Sequence, residues 1–356
     1  MKAWQLDRLG GTLSLQDRAL PELRPGSVLV RIEATALLSY QKAYVEGKLP
    51  AYSPPAGPFT PGTNGVGIIH AVGRDVWHLK PGQRVVLSPH LTATENVEDP
   101  AQILIGLTAF GPGSPALQED FRDGTLAEYA LMPKTTVTPA EGLDHIDAAQ
   151  LSVLMRYIVP YGGLLRGRLA VGETLIVTGA TGAYGCAAVL LALALGAGRV
   201  VAAGRNATAL SALSRLGGAR VVPVALTGDL DADIAALRAA AGGGAHMAFD
   251  MVGQARDPNA TLAALRSLRR AGRLVLMGSM TVPLPLTYSD FMRNNWEILG
   301  QFMYPADAYR RLLDLVRSGL LDLGAIRPRV YPLSALPEAM DAAAGAGNLE
   351  CVVVRP

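Results

Sequence analysis

From about residue 148 onward, apolar residues gather in short continuous runs separated by stretches with helical spacing. The runs at 174–177, 199–203, 221–224, 247–250 and 273–277 read as buried strands. Between them, 207–216 and 230–241 carry apolar residues at helical intervals, and 186–197 is an apolar helix too short to cross a bilayer. This alternation predicts a doubly wound parallel sheet. Residues 1–150 read differently, with short β-rich runs at 27–32, 66–72 and 83–87 punctuated by Pro25-Gly26 and Pro81-Gly82. Beyond Phe291 come a helix over 306–318 and an apolar strand at 351–354. The predicted fold class is α/β, a β domain joined to a doubly wound one.

Composition narrows the setting. A chain of 356 residues is too long for one ordinary core and suits two domains. Half its residues are hydrophobic and 17% are charged, which excludes disorder. A net charge of +2 gives no electrostatic case for nucleic acid or an anionic membrane as a partner. The N-terminus, MKAWQLDRLGG, lacks the apolar core of a secretory signal, and Cys186 and Cys351 cannot make a disulfide framework. A cytoplasmic location is expected, with Cys186 a small buried hydrophobe.

The strand at 174–177 runs into Gly179, Gly182 and Gly185, spaced three apart, and a helix and second strand follow. In such a βαβ unit the glycine spacing signals a dinucleotide. Glycine removes Cβ atoms where the turn is tight, where a pyrophosphate nears the backbone and where helix meets strand. The helix N-terminus then offers free N–H groups and a partial positive charge. Gly179, Thr181, Gly182, Ala183, Tyr184 and Gly185 are the expected phosphate-side residues. The plainer alternative is a tight turn that binds nothing. An NAD-selective protein ends its second strand in Asp or Glu to hold the ribose 2′-hydroxyl. Here the strand ends Ala203-Gly204-Arg205-Asn206. Glycine leaves room there and a guanidinium pairs with a 2′-phosphate, so Gly204, Arg205 and Asn206 predict NADP(H). A solvated surface arginine is the alternative.

Several blocks in order resemble the medium-chain dehydrogenase/reductase superfamily. They are RPGSVLVRIEATALLSYQKAYVEG (24–47), PFTPGTNGVGIIHAVG (58–73), LKPGQRVV (79–86), DGTLAEYALMP (123–133), VGETLIVTGATGAYG (171–185), FDMVG (249–253) and GRLVLMGSM (272–280). The resemblance covers almost the whole chain. It implies a GroES-like domain at 1–151, a Rossmann domain at 152–291 and a segment, 292–356, that returns to the first domain. It also implies a homodimer and places Val252, Gly253, Gly278 and Ser279 on loops facing the nicotinamide half of the cofactor. Asp250 is expected to fix a loop rather than abstract a proton.

Zinc members of the superfamily carry a cysteine near Ser39, a His-Glu pair where Thr63-Asn64 stands and a third ligand near Leu154. Hydroxyls and an aliphatic chain cannot replace thiolate and imidazole. The stretch 90–120 has no cysteine for a structural zinc lobe, and His70, His78, His90, His145 and His246 show no ligand spacing. No metal is expected. Without a Lewis acid, hydride from NADPH suits an already electrophilic carbon, and zinc-free relatives reduce such acceptors. The leading expectation is therefore a zinc-independent quinone oxidoreductase or enoyl reductase. A carbonyl or imine reductase is one alternative, and a cofactor-binding structural protein with little turnover is another. Tyr44, aligned with the tyrosine of a YIRSG-like segment in zinc-free quinone reductases, is the candidate acid, and Ser39 would hold the oxygen of a small-molecule substrate. Tyr40, Tyr52 or water could serve instead. Val159-Pro160-Tyr161 departs from the family's Leu-Thr-Ala, and Arg156 and Tyr157 either shape a pocket wall or pack at the domain junction.

Overall fold

The computed structural model describes all 356 residues, and the chain divides into two compact units. The first comprises 1–155, 309–317 and 326–356, and the second 156–308 and 318–325. The return to the first unit begins at Tyr309 rather than at the expected 292. The reason is strand Glu297–Gly300, which pairs parallel with Leu268–Leu276 and so belongs to the second unit's sheet. No helix is long and apolar enough to cross a membrane.

In the first unit, strand Ser27–Ala36 is the hub of a seven-stranded sheet, pairing with Gly65–Val72, Tyr129–Pro133 and Glu350–Arg355. Its alternation puts Val28, Val30 and Ile32 into a core with Ile69, Val85 and Leu87. Strands His90–Thr92, Gln102–Leu104 and Thr108–Phe110 form a separate three-stranded sheet. Leu91, Ile103 and Ile105 of that lobe join the same apolar core. Hydrocarbon therefore holds together this stretch, which contains no cysteine.

The second unit is a six-stranded parallel sheet. Its order is Val221–Ala225, Arg199–Gly204, Thr174–Thr178, Ala245–Asp250, Leu268–Leu276 and Glu297–Gly300. Numbered along the chain that is 3-2-1-4-5-6, with the reversal of direction beside Thr174–Thr178. Buried parallel strands show as unbroken apolar runs, which is why four of them were legible. The fifth starts earlier than expected, at Leu268, because Arg269, Arg270 and Ala271 are exposed and interrupt the apolar run. Helix Leu154–Arg166 lies tight against this unit's sheet. A Cβ on Gly163 would come within 2.4 Å of the Phe249 ring, so only glycine permits that approach.

Behind the sheet, Arg273 is buried and donates to both Glu173 oxygens, at 3.1 and 2.5 Å, and to the His246 carbonyl at 3.2 Å. His246 accepts the Thr174 N–H on Nδ1 at 3.1 Å. Burial, then the Arg269 guanidinium, holds this imidazole below its ordinary range, against an opposing pull from Glu173. The folded state thus keeps the ring neutral. Its stabilising contribution is complete above about pH 6.5, the ordinary histidine value, and is lost as pH falls through the lower folded value. Urea unfolding should show stability declining below about pH 6.5, and His246→Phe should flatten that part of the profile.

Candidate functional site

The glycine turn ends strand Thr174–Thr178. Gly179 adopts φ +68°, and a Cβ there would lie 2.8 Å from the Met251 carbonyl oxygen. A Cβ on Gly185 would fall 2.0 Å from the Gly179 carbonyl oxygen, so helix and strand meet backbone to backbone. Gly182 differs, because its missing Cβ faces open space apart from one atom at 3.3 Å. It is the N-cap of helix Ala183–Ala194 and supplies no side-chain cap, so the helix begins at this turn with its partial positive charge beside it. This cradle fits a pyrophosphate.

The end of the second strand is equally constrained. A Cβ on Gly204 would collide with the Thr181 side chain at 2.8 Å. Arg205 is exposed and forms no ion pair, whereas Asn206 caps the next helix by accepting the Ala209 N–H at 3.0 Å. Asn206 is therefore occupied by a capping bond, and Arg205 is the residue free to meet a ligand. The turn and the strand end line a cavity of about 970 Å³, which also takes in the loops at 226–228 and 251–257. That volume is ample for a dinucleotide's adenosine half.

Asp250 ties the neighbouring loops together. Its carboxylate accepts from Thr178 Oγ1 at 2.5 Å, Thr261 Oγ1 at 3.2 Å and the Val252 N–H at 3.4 Å. Burial pushes its pKa up despite these bonds. Ser279 N–H donates to the Val252 carbonyl at 3.1 Å, and Ser279 Oγ donates to the Gly253 carbonyl at 3.3 Å. The structure thus brings Val252, Gly253, Gly278 and Ser279 together on adjoining loops of one unit. Arg256, Asn259 and Asp233 also line the cavity and were missed from the sequence. Arg256 and Asn259 had one signal, the polar run QARDPN between a strand and a helix, and Asp233 had none. Arg156 is 1% exposed, with its guanidinium 6.0 Å from the Tyr184 ring centroid, so it packs beside the cofactor turn.

The first unit holds the other candidates. Tyr44 is wholly buried, and its hydroxyl donates to the Leu107 carbonyl at 2.5 Å. Burial, then Tyr52, pushes the phenol pKa far above its ordinary value. Its one proton is committed to the backbone, so Tyr44 is corrected from proton donor to core anchor. Ser39 is half-buried, just beyond strand Ser27–Ala36. Asn64 donates to the Ala36 carbonyl at 3.2 Å and to Thr63 Oγ1 at 3.1 Å, and its own carbonyl accepts from Thr125 Oγ1 at 2.7 Å. The residues at the family's metal positions are thus a serine, a threonine, an amide and the buried Leu154. No three His, Cys, Asp or Glu side chains converge anywhere. This donor set does not fit zinc.

Residues 24–142 match the alcohol dehydrogenase GroES-like domain family, and residues 183–318 match the family described as zinc-binding dehydrogenase. An alcohol dehydrogenase of Moraxella sp. (strain TAE123) is 29% identical over 330 residues, spanning 90% of this chain and 89% of that protein. Sorbitol dehydrogenase of Bacillus subtilis (strain 168) is 25% identical over 346 residues, spanning 96% and 93%. Among solved structures, 2R,3R-butanediol dehydrogenase from Bacillus subtilis superposes with a TM-score of 0.83 at 20% identity, covering 100% and 99%, a likeness of fold. A GroES-like domain and a Rossmann domain are thereby established. The expectation of a quinone or activated C=C acceptor is overturned, because the relatives are named for alcohols and polyols. Gly185→Val should cost at least about tenfold in dinucleotide affinity, read by fluorescence titration, since no rotamer relieves the contact with Gly179.

Proposed function

We propose that this chain, which belongs to the medium-chain dehydrogenase/reductase superfamily, is an NADP(H)-dependent oxidoreductase that interconverts an alcohol or polyol with its carbonyl partner without catalytic zinc. The carrying observation is the second unit's cleft, with a pyrophosphate cradle at Gly179–Gly185 and an unpaired Arg205 where an NAD-selective protein would present an acid. The relatives' names supply the substrate class. The cofactor supplies hydride exchange at its nicotinamide ring.

The chain's own residues handle position and charge. Gly182 and the helix N-terminus bind the pyrophosphate, and the loops carrying Val252, Gly253, Gly278 and Ser279 orient the nicotinamide half. Ser39 offers its hydroxyl to the substrate oxygen, holding it while water takes up or supplies the proton on that oxygen. A hydroxyl does not acidify a bound oxygen as zinc does, which brings bound water down to about 7. Alcohol oxidation should therefore keep rising with pH above neutrality instead of levelling there.

A homodimer is part of this reading. Strand Glu297–Gly300 is an open sheet edge, and Tyr288 on the preceding helix is 84% exposed. A cytoplasmic setting accords with two buried cysteines that form no disulfide. Light scattering should return twice the chain mass.

The deciding experiment is a panel of alcohols, polyols and their ketones assayed with NADP(H) and NAD(H), with and without EDTA. Turnover on at least one pair, faster with NADP(H) and unchanged by EDTA, is expected. Stoichiometric zinc by elemental analysis, or loss of activity in EDTA, would remove the metal-free part. Equal use of both cofactors would remove the assignment of Arg205.

A further inference from the structure

The adenosine end of the cleft contains charges that the Arg205 reading leaves unused. Two cations and two carboxylates line this cavity, Arg205 and Arg256 against Asp233 and Asp257. Both carboxylates already accept bonds from the protein. Asp233 is 2% exposed and accepts from the Thr227 N–H at 2.8 Å, Thr227 Oγ1 at 2.9 Å and the Gly228 N–H at 3.0 Å. Asp257 accepts the Asn259 N–H at 2.9 Å as that helix begins. Neither arginine forms an ion pair, and both are exposed. Two uncompensated guanidinium groups on one cavity call for an anion.

The scaffold on which they stand is held in place. Arg205 follows strand Arg199–Gly204, and Arg256 lies in the loop after Ala245–Asp250. These two strands flank Thr174–Thr178 in the sheet. Asn259 Nδ2 donates to the Gly228 carbonyl at 3.1 Å, which joins the Arg256 loop to the loop fixed by Asp233. A phosphate monoester carries close to two charges and three acceptor oxygens, more than one guanidinium fork can satisfy. We infer that Arg256 is a second specificity-determining residue, closing on the 2′-phosphate of NADP(H) from the loop after the fourth strand while Arg205 holds it from the second. Arg205 alone would distinguish NADP from NAD by one fork. The pair makes the cleft selective for a 2′-phosphorylated adenosine, with Asp233 and Asn259 positioning the loops. This inference rests on the NADP(H) reading above.

Calorimetric titration of the full chain with 2′,5′-ADP and with 5′-AMP tests it without any turnover. The unaltered protein should bind 2′,5′-ADP at least about tenfold tighter. Arg256→Ala should weaken 2′,5′-ADP about tenfold and leave 5′-AMP within about twofold, and Arg256→Lys should recover part of the loss. Arg256→Ala that leaves both affinities unchanged, or weakens both equally, would overturn the role of Arg256 while Arg205→Ala still reports on the NADP(H) reading. Equal binding of the two nucleotides by the unaltered protein would overturn that reading and the inference with it. Unchanged melting temperatures of the unliganded variants will show that the fold is intact.

Discussion

The contact on which the second unit depends is the one between the backbones at Gly179 and Gly185. A helix packed this close to a strand end leaves no room for a side chain between them. The approach sets where helix Ala183–Ala194 leaves the sheet and places its N-terminus at the strand end. It also brings Gly179 against Met251, so the first and fourth strands end together at the sheet's reversal. Asp250 then locks that junction with two threonine hydroxyls. One steric constraint thus positions the cradle, and a buried carboxylate holds the loops around it.

The first unit solves a different problem. Where relatives of this fold bring thiolate and imidazole to an ion, this chain places Asn64, Thr63 and Thr125 in hydrogen bonds with one another and with the backbone. Their polar atoms are satisfied by neighbours, as burial requires. In the proposed metal-free reaction, electrostatic work on a substrate oxygen comes from hydroxyl donors rather than from a divalent charge, a weaker lever that acts through geometry.

Most of the second unit was legible in the sequence because buried parallel strands and glycine turns leave local signatures. Strand Glu297–Gly300 was not, since a four-residue edge strand has neither the length nor the apolar continuity to stand out. Its absence from the reading moved the expected return point to 292. Tyr44 shows a second kind of limit. Spacing placed it in the right segment, but only tertiary packing decides whether a phenol faces a cleft or donates to a carbonyl sixty-three residues on. Arg256 and Asn259 come from one segment and Asp233 from another, so no local pattern could join all three. Arg205 was readable because its meaning depends on its place at the end of one strand.

The apolar lobe over the strands His90–Thr92, Gln102–Leu104 and Thr108–Phe110 has a consequence for how the chain matures. A lobe closed by four thiolates is complete only after a metal has been delivered, and oxidants that attack thiolates can undo it. Leu91, Ile103 and Ile105 close this one by themselves. Its closure draws on apolar side chains, and that lobe offers no sulfur to an oxidant.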